Sequence, residues 1–489
     1  MNQADEKDLP LWTAAEVYDA VEVEDTGMWN AYGISIDSRT VNKGDLFIAM
    51  KGDRFDGHDY VQKAIENGAV KAIVSSVPEG VGSEHLIVVE DTLHALRQLG
   101  LMRRESTKAN LVAITGSVGK TGTKEMLACI ARDQKKTHYS AKSFNNHVGV
   151  PLTLASMPKD AEIGIFEMGM NNAGEIAQLT RQVRPDIAII TTVQKVHLEN
   201  LGTPDNIAKA KAEIMDGMPR GSSIILNKDN RYFKFLYDIA SERGIWPFSF
   251  GMDQHADSHA HDVIVTLDGT FIETKILDEV YEVLFSFIGR HHAVNALAVL
   301  TAAKLLGLDM HKAIDSIEQW SPGPGRGELE VISFGPKKDP VILLNESYNS
   351  SPIALKAALD VLFQTRPMGK GRRIVILGDM AELGSKRAYI HAEQVIPVED
   401  AGTDLVYTCG PLMKNLYENL YDEDKGGHYN SPAELAPHIA DIIQPGDVVL
   451  VKGSRGGGVE PQMNVIIKAI RALAQNKQAG ARTKRGKRA

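Results

Sequence analysis

Cysteine is nearly missing from this chain: two occur among 489 residues, Cys129 and Cys409, far apart in sequence. That excludes a disulfide framework and a structural zinc site, both of which need clustered or paired thiols. A long apolar run is lacking as well. The most hydrophobic stretch, residues 293–308, is interrupted by Asn295, Thr301 and Lys304. It falls short of the roughly 20 apolar residues a bilayer span needs, so it reads as a core helix and no integral membrane segment is expected. The first eight residues lack the basic-then-apolar order of a secretory signal, and a cytoplasmic protein is expected. Positive charge is not in excess either. Acidic side chains number 63 against 54 basic ones, for a net charge of −9, which argues against a dedicated nucleic-acid binder. The cations present are unevenly placed, with Arg482, Lys484, Arg485, Lys487 and Arg488 crowding the end as a basic extension read as disordered. No internal repeat is detectable.

With 43% hydrophobic and 24% charged residues the chain has a globular balance, and its length predicts about three domains of about 150 residues each. Three blocks separate by pattern: residues 1–107, 108–321 and 322–489. The first holds short apolar strands at 45–50 and 69–74, with a helical stretch at 60–67 stopped by Gly68. The second alternates buried-strand runs at 111–114, 163–166, 187–190 and 223–226 with helical stretches, which predicts an α/β fold with a mostly parallel sheet. Ser321-Pro322-Gly323-Pro324-Gly325 reads as an interdomain turn. The third block repeats the alternation, with runs at 341–344, 373–377, 404–407 and 447–451. Polar or glycine-rich clusters follow these runs, where a doubly wound sheet binds ligands. Nothing in the residues demands more than a monomer.

The sharpest local signal is Thr115-Gly116-Ser117-Val118-Gly119-Lys120-Thr121, after a strand and before a helix. Glycines let such a backbone curl so that its N–H groups and the helix N-terminus face a phosphate. Lys120 would neutralise the β/γ-phosphates and the Thr121 hydroxyl would ligate Mg²⁺. The spacing departs from the common phosphate loop, because Ile114 stands five residues before Gly119. Further metal ligands are expected at neighbouring strand ends, where Glu167 follows one run and His197 follows another. One oxygen and one nitrogen ligand is unusual for Mg²⁺, which leaves room for a second metal position.

These residues resemble the Mur ligase family, ATP-dependent amide-forming enzymes of peptidoglycan precursor synthesis, over nearly the whole chain. The motifs that carry the likeness are the loop 115–121, Asn145 to Leu154, Glu167-Met168-Gly169-Met170-Asn171, Ile376 to Gly384, and Val451-Lys452-Gly453-Ser454-Arg455. They are most similar to the branch that joins D-alanyl-D-alanine (D-Ala-D-Ala) to UDP-N-acetylmuramoyl-tripeptide (UDP-MurNAc-tripeptide). The resemblance implies a small α/β N-terminal domain for the uridine nucleotide, a central phosphate-loop domain for ATP, and a Rossmann-like C-terminal ligase domain. It implies ATP and Mg²⁺ as cofactors, small-molecule substrates, and an acyl-phosphate intermediate. Gly116, Ser117, Val118, Gly119, Lys120, Thr121 and Gly122 would cradle ATP, with Asn295 at the adenine, Arg326 near the phosphates and Glu346 at the nucleotide. Thr121, Glu167, His197 and Lys211 would hold metal, Lys211 as a carbamate, with Lys209 close enough to leave the register open. Lys120, Lys211 and His197 are the implied catalytic set. Ser38, Arg39, Asn145, Asn146, Lys452, Ser454 and Arg455 would bind substrates. Two departures stand out in Asn345 to Pro352: Glu346 replaces the family's usual aspartate, and Ser351 its second asparagine.

Two rival readings remain: a related ligase with another amino substrate, and a phosphate-loop protein that hydrolyses nucleotide without forming a bond. Other signals are weaker. His255, Asp257, His259, His261 and Asp262 read as a solvated polar loop rather than a metal site, since their spacing matches no fixed geometry. Cys129 reads as a small apolar residue in the helix after the phosphate loop. Cys409 has no partnered histidine and is not expected to be a nucleophile.

Overall fold

The computed structural model describes residues 9–485 apart from 25–26, 53–54, 141–142, 195–197, 267–268, 334–338 and 456–460; of residues 198 and 475–485 it describes the backbone alone. His197 therefore lies outside the described residues.

At the N-terminal end, a short antiparallel pair, β1 (Trp12–Thr13) with β2 (Asn30–Ala31), precedes a four-stranded parallel sheet. Its strands are β3 (Gly33–Ser35), β4 (Asp45–Ile48), β5 (Lys71–Val74) and β6 (Leu86–Val88), in that order. The helix Val61–Glu66 stops where expected, at Gly68, whose φ of +112° suits a residue without a Cβ.

The central sheet has nine strands: β7 (Asn110–Thr115), β8 (Thr137–Tyr139), β9 (Ile163–Glu167), β10 (Ile187–Ile190), β11 (Ser223–Asn227), β12 (Trp246–Gly251), β13 (Ser258–Thr266), β14 (Gly269–Ile276) and β15 (Glu279–Phe285). Their order is β15-β14-β13-β12-β11-β10-β7-β9-β8, parallel from β8 across to β13 and antiparallel thereafter. Both faces are covered, which is why the parallel strands read as unbroken apolar runs. Along β7, Val112 and Ile114 meet Leu127, Ile130, Ala296 and Leu300 on one face. Leu111 and Ala113 meet Val150, Leu154, Ile176 and Leu179 on the other. The expected core helix is Arg290–Leu305, apolar nearly all round because it packs against both the sheet and its neighbouring helices. The expected polar loop is only partly a loop, because Ser258–Thr266 forms a strand. His259 is buried there, with its Nδ1 2.9 Å from the Ala256 carbonyl. Strand pairing overrides the polar composition, since one face of β13 carries Ala260 into the core.

The connection at 321–327 comes next, with Gly325 at φ +73° and Gly327 at φ +96°. It leads into a six-stranded sheet of β16 (Glu328–Ile332), β17 (Val341–Glu346), β18 (Arg373–Gly378), β19 (Leu405–Cys409), β20 (Lys425–Tyr429) and β21 (Val448–Lys452). The order is β16-β17-β21-β18-β19-β20, parallel except for the edge strand β16. Cys409 is buried in this sheet's core, and burial pushes its thiol pKa up to about 12.

The first two domains are joined by packing as well as by chain. Helix Thr92–Ser106 lies on helix Gly149–Ala155, and Leu96, Leu99, Leu152 and Ala155 share one apolar cluster. Trp12 Nε1 donates to the Ala155 carbonyl at 2.9 Å, and Arg103, buried over the Trp12 ring, donates to the Leu11 carbonyl at 2.6 Å. The C-terminal domain meets the central one where Gly384 lies against the backbone of Glu199, where Ile288 joins the C-terminal core, and along one cleft.

Candidate active site

Strand β7 delivers Thr115 into the phosphate loop, whose curvature two glycines permit. Gly116 has φ +150°, and a Cβ there would sit 1.9 Å from Thr191 Oγ1. Gly119 has φ +85°, and its Cβ would sit 2.6 Å from Asn295 Nδ2. The turn is braced from the end of β10: the Ser117 N–H donates to the Thr192 carbonyl at 2.8 Å, and Thr191 Oγ1 donates to the Val118 carbonyl at 2.6 Å. Ser117 Oγ donates to the Gln194 carbonyl and accepts its N–H. The helix Lys120–Arg132 then begins, and its first N–H groups, with the positive end of the helix dipole, lie beside the loop. Lys120 Nζ donates to the Gly116 carbonyl at 2.7 Å. Burial lowers the Lys120 pKa, with Glu167 and Glu382 pulling against it and Arg326 adding to it.

Glu167 ends β9 beside this loop and is 1% exposed. Its Oε2 accepts from the Thr121 hydroxyl at 2.9 Å and its Oε1 accepts from Asn145 Nδ2 at 2.8 Å. A buried carboxylate next to a hydroxyl supplies two hard oxygens at one spot, a donor set that fits Mg²⁺. Lys211, on helix Pro204–Ala212, is 1% exposed and places Nζ 3.5 Å from Thr115 Oγ1. Burial, reinforced by the charge of Lys120, holds its pKa well below the ordinary lysine value, which favours the free amine.

All three domains open onto one cleft of about 2700 Å³. Ser117, Val118, Gly119, Lys120, Thr121 and Gly122 line it, together with Asn145, Glu167 and Asn295. From the N-terminal domain come Ser38 and Arg39, the latter paired with Asp37 at 2.7 Å. From the C-terminal side come Arg326, Glu346, Lys452, Ser454 and Arg455. Glu346 and Lys452 are register partners at the ends of β17 and β21, and Lys452 Nζ donates to Glu346 Oε2 at 3.0 Å. The longer glutamate arm thus reaches a buried lysine on the next strand. Among the described residues, three predicted ones do not line the cleft. Gly116 packs beneath the loop against Thr191, and Lys211 is enclosed behind Thr115. Asn146 turns away, its Oδ1 accepting the N–H groups of Val148 and Gly149.

Several lining residues carried no sequence assignment. Tyr348 lies half-buried with the Arg326 guanidinium carbon 3.8 Å from its ring centroid and that of Arg455 5.8 Å away. Burial would raise the Tyr348 pKa, yet the contact with Ser143 and the two arginine charges outweigh it and lower it. His292 is buried with both ring nitrogens unpartnered by side chains or backbone at good geometry, and burial holds it neutral with a pKa well below 6.5. It packs against Phe287 and Trp320 at the cleft wall. Tyr348 stands inside a recognisable motif; the packing of His292 leaves no sequence signal.

Comparison with known proteins places the chain. Residues 30–102 match the Mur ligase family catalytic domain, residues 114–303 the Mur ligase middle domain, and residues 329–455 the Mur ligase glutamate ligase domain. The chain belongs to the Mur ligase family. The UDP-N-acetylmuramoyl-tripeptide–D-alanyl-D-alanine ligase of Rickettsia prowazekii is 34% identical over 447 residues, covering 91% of this chain and 97% of that protein. Among solved structures, MurF from Acinetobacter baumannii superposes with a TM-score of 0.81 at 28% identity, covering 94% of this chain and 99% of that one. MurF ligase from Thermotoga maritima in complex with ADP superposes with a TM-score of 0.75 at 25% identity, covering 91% and 98%.

Proposed function

We propose that this chain is an ATP-dependent, ADP-forming ligase that joins D-alanyl-D-alanine to UDP-N-acetylmuramoyl-tripeptide in peptidoglycan precursor synthesis, acting in the cytoplasm as a monomer. The observation that carries the reading is the single cleft onto which the phosphate loop, the N-terminal sheet and the C-terminal sheet all open. Among the described residues no helix is long and apolar enough to cross a membrane, in keeping with water-soluble substrates. The division of labour assigns residues 1–107 to the uridine nucleotide, 108–321 to ATP and 322–489 to the dipeptide.

A carboxylate is a poor electrophile because its oxygen is a bad leaving group. In the proposed reaction a tripeptide carboxylate oxygen attacks the γ-phosphorus and the bond to the ADP oxygen breaks. The dipeptide amine, in its neutral form, then attacks the acyl carbon; the amide forms as inorganic phosphate leaves, and the phosphate takes up the proton that the nitrogen loses. Lys120 turns from the Gly116 carbonyl to the transferring phosphoryl group, and the loop N–H groups hold the β-phosphate. Thr121 and Glu167, with His197 and a carbamate on Lys211, would hold Mg²⁺, which neutralises phosphate charge when bound. Asn295 faces the adenine, and Arg326 and Glu346 the nucleotide. Ser38, Arg39 and Asn145 serve the uridine substrate, while Lys452, Ser454 and Arg455 serve the incoming dipeptide. Closure of the C-terminal domain excludes water from the acyl phosphate.

The test is to incubate the protein with ATP, Mg²⁺, UDP-MurNAc-tripeptide and either D-Ala-D-Ala or single amino acids, monitoring ADP and product mass. Dipeptide-dependent ADP release and the matching amide are expected, and Lys120→Ala should abolish both while the chain stays folded. ADP release indifferent to the dipeptide overturns the reading.

A further inference from the structure

Four non-glycine residues among those described have a left-handed backbone: Glu22, Arg184, Leu277 and Glu382. Glu22 and Arg184 end helices, and Leu277 sits in the turn between β14 and β15. Glu382, at φ +63°, does neither, and of the four it is the one that lines the cleft. A side chain held in that region costs of order 1 kcal/mol or more, so the surrounding structure must impose it.

The loop around it is pinned at successive residues. Asp379 accepts the N–H groups of Leu412 and Met413. The Met380 N–H donates to Nε2 of the buried His391 at 2.9 Å, whose Nδ1 donates to the Arg387 carbonyl at 2.7 Å. The Ala381 N–H donates to Ser454 Oγ at 2.9 Å, and the Ser454 N–H donates to the Asp379 carbonyl at 3.0 Å. Leu383 is buried, and Gly384 lies against the backbone of Glu199. The two bonds that Ser454 makes with Ala381 and Asp379 lock two loops side by side. Glu382 and Arg455, each one residue past a bonded neighbour, thereby reach the same cleft. Glu382 is close enough to the phosphate-loop lysine to oppose the lowering of its pKa.

One acid and one base on locked neighbouring loops complement a zwitterion. At neutral pH a free dipeptide is such a zwitterion, with an α-ammonium that titrates near 8 and a carboxylate at the other end. We propose that Glu382 binds the ammonium of the incoming dipeptide and presents it beside the phosphate loop, while Arg455 faces the dipeptide carboxylate. The assignment of Glu382 rests on the ligase reading above and names the residue that site uses for its amine substrate.

The test compares wild type, Glu382→Gln and Glu382→Gly in the full chain, with D-Ala-D-Ala or hydroxylamine as nucleophile. Hydroxylamine is uncharged at pH 7.5 and traps the acyl phosphate as a hydroxamate without needing an ammonium site. Glu382→Gln should lose roughly 30-fold in kcat/KM for the dipeptide, mainly through KM, in line with loss of a charge-assisted bond. Its rate of hydroxamate formation should stay within about threefold of wild type. Glu382→Gly should show the same dipeptide defect with an equal or higher Tm, because glycine relieves the left-handed backbone. An unchanged dipeptide kcat/KM overturns the proposal. So does an equal loss with hydroxylamine, which would put Glu382 in phosphoryl transfer, or a Tm collapse in both variants. A wild-type protein that makes neither amide nor hydroxamate overturns the ligase reading, and this assignment with it.

Discussion

Arg326 and Tyr348 stack at the junction between the second and third domains, the guanidinium carbon 3.8 Å from the ring centroid. Arg326 belongs to the connection at 321–327, and Tyr348 lies just past β17. Ser143, from the central domain, touches both: the Tyr348 hydroxyl and Arg326 Nη2 each lie 3.4 Å from its Oγ. The pair therefore sets the arginine's direction relative to the phosphate loop. A cation–π contact of this kind contributes about 0.5–2 kcal/mol. Tyr348→Ala should raise KM for ATP about twofold to thirtyfold, whereas Tyr348→Phe, which keeps the ring, should stay below about twofold. Steady-state kinetics with saturating tripeptide and dipeptide measure both.

Gly119→Ala should remove nucleotide binding. The new methyl would meet Asn295 Nδ2 at 2.6 Å and would strain a backbone at φ +85°. The same change therefore disturbs the phosphate end and the residue expected at the adenine. Calorimetric titration with ATP should show at least a roughly tenfold loss, while the far-ultraviolet dichroism stays that of the parent.

Lys452 is enclosed with Glu346, their side chains 2% and 15% exposed. Removing the lysine leaves a carboxylate with little water and no counter-charge. Lys452→Met should destabilise the chain by about 3–5 kcal/mol, and Lys452→Met with Glu346→Gln should recover part of that loss. Urea unfolding monitored by fluorescence distinguishes them.

Acid should weaken the fold before carboxylates titrate. Burial lowers the pKa values of His138, His291, His292 and His391 below the ordinary 6.5. In the unfolded chain these rings take up protons near 6.5 that the folded chain refuses. Their contribution is therefore complete above about pH 6.5 and is lost as pH falls below it. His391→Ala should flatten part of that dependence. It should also cost about 1–3 kcal/mol at pH 7.5, by leaving the buried Met380 N–H without an acceptor. Urea midpoints measured from pH 5 to 8 test both statements.

Much of this was legible in residues alone, for reasons that differ by element. Buried parallel strands have both faces covered, so β7, β9, β10 and β11 announce themselves as apolar runs, within about a residue of their ends. The phosphate loop is legible because its chemistry is local: the glycines, Lys120 and Thr121 all lie within seven consecutive positions. Ser258–Asp262 misled because strand pairing supplied what its polar composition withheld. Asn146 stood in a motif beside Asn145, yet one amide reaches Glu167 and the other caps a turn. Adjacent residues point in different directions, and only the backbone path says which.

By itself, then, the sequence determined the alternation of strands and helices, three domains and the local phosphate-binding chemistry, since each depends on neighbours a few positions apart. The tertiary structure alone decided which distant groups share a cleft. It set Lys452 beside Glu346 through strand register, stacked Arg326 on Tyr348, and locked the Glu382 loop to Ser454. Such pairings depend on how sheets order their strands and how domains pack. That order is a property of the whole buried surface, and no short window of residues carries it.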